Sequence, residues 1–119
     1  MLIFVDFVIF LITMLLALTF HEAGHYISYK LYGKNPDIKF NMFTIEIGKN
    51  VIGQLKNKDA FAVAFNGIII GLVPLIVFYE NIGEPLFTIG VLLYIVGCWF
   101  DYQIMYLGII KPNEMFTGK

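Results

Sequence analysis

The stretch LIFVDFVIFLITMLLALTFHEAGHYI, residues 2–27, decides the fold. Its only charged or imidazole side chains are Asp6 near the start and His21, Glu22 and His25 near the end. At about 1.5 Å per helical residue, about 20 apolar residues cross a hydrocarbon core about 30 Å thick. The run is too long for a secretory signal, and Asp6 stands where a basic segment would be needed. A transmembrane helix is therefore expected here, with its polar end carrying both histidines of the chain.

Two further apolar segments follow, and the three spans are expected at 6–29, 60–79 and 86–110. Composition agrees. Of 119 residues, 59% are hydrophobic and only 14% charged, with a mean hydropathy of +0.78. Soluble domains carry about 25% charged residues, so a water-facing surface could hardly be furnished. All eight cations are lysines, net charge is -1, and nothing supplies the basic stripe that nucleic acid needs. The lone Cys98 excludes a disulfide framework and any multi-cysteine zinc site within the chain. Residues 1–119 read as one membrane-embedded domain without repeats.

The lysines give the orientation. Lys30, Lys34, Lys39, Lys49, Lys56 and Lys58 lie between the first two spans, whereas the link between the second and third carries Glu80 and Glu84. Lys111 and Lys119 follow the last span. Positive-inside weighting puts the N-terminus outside and both lysine-bearing segments in the cytoplasm, as in a multi-pass protein of the cell membrane. Within the long loop, residues 38–47 alternate, Gly48-Lys49-Asn50 offers a turn, and 51–55 offers a return strand. The expectation is a membrane-associated β-hairpin over 38–55, or a hairpin that merely connects two helices. The fold class is thus an α-helical membrane protein with three transmembrane helices and a cytoplasmic hairpin between the first and second.

Gly67 and Gly71 form a small-xxx-small pair that lets helices approach closely, and Pro74 is expected to bend the second span. Gln103, Tyr94, Tyr102 and Tyr106 read as packing or interface residues, and Glu46 as a solvated hairpin residue.

His21-Glu22-Ala23-Gly24-His25 carries the chemistry. Residues four apart share a helix face, with β-carbons about 5–6 Å apart, so both imidazoles can reach one zinc ion. Glu22 is placed to act as general base towards a water activated there. The bland alternative is a polar cap on the first helix, but imidazoles and carboxylates inside a span are costly. A bis-histidine haem is set aside, because two histidines on one helix face cannot take opposite sides of one haem. A catalytic zinc usually has three protein ligands. No third histidine exists, so a carboxylate is required, and the third span holds one candidate, Asp101. His21 precedes Lys30 by about 13 Å of helix, and Asp101 precedes Lys111 by about 15 Å, so the two fall level. Alternatively Asp101 bonds a Tyr or Asn of a neighbouring helix. Asn66 could hold a substrate carbonyl or oxyanion, or serve as a link between helices.

These residues resemble the site-2 protease family of intramembrane zinc metalloproteases. The resemblance covers most of the chain: His21-Glu22-Ala23-Gly24-His25 on a first span, a β-rich loop, a glycine-containing second span and Asp101 on a third. It implies that His21, His25 and Asp101 hold zinc, that Glu22 activates water, and that the substrate is a transmembrane protein cut near the cytosolic side. It also implies that the 38–55 loop guides an unwound substrate strand. The departures are local. Gly67 is followed by Ile68 where the family commonly has proline, with Gly71 in the place of its Asn, and Phe100-Asp101-Tyr102 replaces Leu-Asp-Gly. The rival reading is a non-proteolytic binding or regulatory membrane module that retains the zinc site. Three spans shield a site poorly from lipid, which leaves room for a homodimer.

Overall fold

The computed structural model describes residues 2–40 and 45–117. It is mostly helical: α1 (Leu2–Leu31), β1 (Ile38–Phe40), β2 (Ile45–Ile47), a 3-10 turn (Ile52–Gln54), α2 (Asn57–Val77), α3 (Tyr79–Ile82), α4 (Leu86–Gly97) and α5 (Trp99–Ile110). Two helices, Phe4–Leu31 within α1 and α2, are long and apolar enough to cross a membrane. Their outer faces are apolar too. Phe4, Leu15, Ile76 and Val77 are among many large apolar side chains left exposed, an arrangement suited to lipid and costly in water.

The expected third span is not one straight helix. Leu86–Gly97 and Trp99–Ile110 meet at a 53° bend around Cys98. At the bend Cys98 N–H donates to Tyr94 and Ile95 and Tyr102 N–H donates to Cys98, but no bond runs from Trp99, Phe100 or Asp101 N–H back into α4. The bend opens Asp101 into the first turn of α5, where the helix dipole favours a carboxylate. A broken helix is tolerated at membrane depth where it lines a cavity, and Gly97 lines two.

The hairpin is shorter than the alternation suggests, and it reverses elsewhere. β1 and β2 pair antiparallel in the register Ile38↔Ile47, Lys39↔Glu46, Phe40↔Ile45, so Gly48-Lys49-Asn50 follows the second strand rather than joining the two. Asn41, Met42, Phe43 and Thr44, part of the expected strand, lie outside the described residues. The expected return strand at 51–55 is instead a 3-10 turn that buries Val51 and Leu55 against Tyr29 and Val63. Gly48 is needed beneath Tyr29: its φ is +82°, and a β-carbon would overlap the phenol ring.

Helix α1 packs along α2, and their backbones come close enough that a β-carbon on Gly24 would stand 2.9 Å from Gly67 Cα. The chain after α5 straps onto the start of α2. Asn57 N–H donates to Glu114 O at 2.7 Å, and Phe116 N–H to Leu55 O at 2.9 Å. Two apolar clusters result, one around Phe10, Ala17, Leu75, Ile82, Tyr94 and Cys98, the other around Tyr29, Val51, Leu55 and Val63. Between Ala17 and Tyr29 on α1, the interior is polar.

Candidate metal centre

On α1 the buried positions His21, Gly24, His25, Ser28 and Tyr29 recur every three or four residues, as a helix face demands. This face meets α2 and the first turn of α5. There His21 Nε2 lies 2.7 Å from Asp101 Oδ2, His25 Nε2 lies 3.3 Å from Asp101 Oδ1, and the two Nε2 atoms are 3.0 Å apart. All three residues are at most 9% exposed. His21, His25 and Asp101 are thus brought together, and the partly buried Glu22 forms a group of possible donors with His21 and His25.

The donor chemistry suits a cation. His25 Nδ1 is 3.0 Å from Val63 O, a carbonyl that can only accept, so Nδ1 carries a hydrogen and Nε2 is the nitrogen turned to the cluster. It lies 3.3 Å from Asp101 Oδ1 and 3.0 Å from the Nε2 of His21. Donor atoms so close together repel unless a proton or a metal ion sits among them. Ligands about 2.0–2.1 Å from a tetrahedral zinc stand about 3.3–3.4 Å from one another. The inward atoms, spaced 2.7–3.3 Å, are at or slightly inside that distance. Cys98 also comes near: its Sγ lies 3.9 Å from His21 Nδ1, and with His21 and Asp101 it forms a second set of donor atoms within 4.8 Å of one another.

The small-xxx-small pair on α2 makes room for this cluster. A β-carbon on Gly67 would overlap the His25 imidazole, and one on Gly71 would overlap the Tyr94 hydroxyl. Tyr94 itself, expected to be packing, lies with its hydroxyl 2.9 Å from His21 Nδ1. No sequence signal marks that contact, because it joins α4 to α1. Asn66 goes elsewhere. Its amide donates to Ser28 Oγ at 3.0 Å, linking α2 to α1, and it does not line the cavity at the cluster.

That cavity, of about 350 Å³, has His21, Glu22, His25 and Asp101 on its helical wall and Ile45–Lys49 on the opposite one. Glu46 is therefore a wall residue, paired with Lys49 at 3.3 Å. A second cavity, of about 500 Å³, runs between α1 and α4 along Leu11, Leu15, Leu18 and Leu93 and reaches His21 and Glu22 from the apolar side. The cluster is open in two directions, one polar and one apolar.

No family model, no curated protein and no solved structure matches this chain.

Proposed function

We propose that this chain is an intramembrane zinc metalloendopeptidase that hydrolyses a peptide bond of a transmembrane protein near the cytosolic side. The observation carrying it is the meeting of His21, His25 and Asp101 within 2.7–3.3 Å beside the Glu22 carboxylate. In this reading the bent α4–α5 pair is a third span, the lysine-rich loop is cytoplasmic, and the protein is a multi-pass resident of the cell membrane.

His21 and His25 through Nε2, and Asp101 through its carboxylate, would hold the ion. When bound, zinc supplies the Lewis acidity that makes a water nucleophilic near neutral pH. Glu22 takes the proton as the water oxygen bonds to the substrate carbonyl carbon, and delivers it to the amine nitrogen when the carbon–nitrogen bond breaks. Among the described residues β2 is paired with β1 on one edge only, and its residues line the cavity. An unwound substrate can add to that free edge, since its peptide groups need partners once its helix opens. The apolar cavity between α1 and α4 gives a membrane-embedded segment a path to Glu22.

One observation favours a second reading, a membrane binding or regulatory module that keeps the zinc site. One Asn66 amide hydrogen goes to Ser28, and Asn66 does not line the cavity where a substrate oxyanion would form. Glu22→Gln separates the two. The protease reading expects zinc retained and cleavage of a reconstituted transmembrane substrate reduced by about 10²–10⁴-fold. The module reading expects no cleavage by the wild type and an unchanged binding phenotype in the variant.

A further inference from the structure

The Tyr94 hydroxyl stands where three helices meet. From α4 it lies 2.7 Å from Ile68 O and 3.3 Å from Gly67 O, both on α2, and 2.9 Å from His21 Nδ1 on α1. A phenol has one hydrogen to give. Carbonyl oxygens only accept, and an oxygen pair at 2.7 Å needs a hydrogen between them, so that hydrogen goes to Ile68. Towards His21 the hydroxyl can then only accept. Nδ1 must carry a ring hydrogen, so Nε2, 2.7 Å from Asp101 Oδ2, is the nitrogen that can give up its hydrogen and offer a lone pair to an ion.

We infer that Tyr94 is a positioning residue of the metal centre: by spending its hydrogen on the α2 backbone, it holds His21 in the tautomer that presents Nε2 to the ion. This deepens the zinc reading and rests on it. The bond made by one imidazole nitrogen decides what the other can do, and such outer partners govern metal affinity. Burial protects the device, since Tyr94 is 8% exposed and little water can compete for its hydroxyl. Gly71 permits it, because any side chain there would drive the hydroxyl away. Val63 O plays the same part for His25, so each histidine is oriented from behind by a group it can only donate to. Cys98 Sγ, 3.9 Å from His21 Nδ1, is too weak a partner to replace the phenol.

The test uses the full chain in detergent with cobalt(II) as the probe, titrated by its visible absorbance in wild type, Tyr94→Phe and Tyr102→Phe. Tyr94→Phe keeps the ring and removes only the hydroxyl. Its cobalt affinity is expected to fall about 10- to 100-fold, whereas that of Tyr102→Phe stays at the wild-type value. Equal affinity in Tyr94→Phe and wild type overturns the role of Tyr94 alone. A wild type that binds no cobalt overturns the metal centre and this role with it. Should Tyr94→Phe not fold, nitrogen-15 spectra of the zinc-loaded wild type decide. A hydrogen on His21 Nδ1 with the metal on Nε2 supports the inference, and ligation through Nδ1 overturns it.

Discussion

His21 Nε2 and Asp101 Oδ2 lie 2.7 Å apart, joining the first helix to the last. Neither group is cheap to bury. A charge at membrane depth costs about 2.5–3.5 kcal/mol on insertion scales, and a carboxylate facing two imidazoles gains its return only when a cation or proton sits among them. The pair therefore has one expected consequence that a purely structural contact lacks. Asp101→Asn, nearly identical in shape, lowers zinc affinity at least about tenfold, since first ligands matter no less than their outer partners. Zinc titration of purified protein measures this, and equal affinity in the variant would place the third ligand elsewhere.

Gly67 lies against the His25 imidazole, so Gly67→Ala tests how tightly the helices confine the site. Overpacking of this kind costs about 1–3 kcal/mol, and here the atom displaced is a metal donor. Thermal midpoint and zinc content are expected to fall together. Gly97→Ala is the control, because a β-carbon there meets nothing within 4 Å, and it should leave both unchanged.

Asn66→Ala removes the hydrogen bond to Ser28 and nothing at the cluster. A loss of about 0.5–1.5 kcal/mol of stability is expected, with zinc content unchanged. Cleavage should follow stability only. A fall of about 100-fold or more in cleavage, with zinc and stability intact, would return Asn66 to the substrate oxyanion.

Much of this was readable from residue order alone, for identifiable reasons. His21 and His25 share a face because a helix turns every 3.6 residues, and Asp101 stands out because its burial is costly enough to demand a partner. Counting helical rise from Lys30 and Lys111 put it at the right level. The bend at Cys98 left no such mark, since no proline stands at it. Alternation over 38–47 disguised a reversal, because a strand and a tight hairpin share the same period of two. Gly48 looked like the turn residue but serves a packing contact with Tyr29. Tyr94 was read as packing because its partners, His21 and Ile68, sit on other helices, and spacing along one helix says nothing about them.

The central claim is that His21, His25 and Asp101 together hold one zinc ion. Elemental analysis of the folded wild type, purified without chelator and measured beside His25→Ala, tests it most directly. About one zinc per wild-type chain is expected, and a loss of most of it in His25→Ala, where one of three protein ligands is removed. A folded wild type that takes up no zinc, or a His25→Ala variant that holds as much as the wild type, would contradict it.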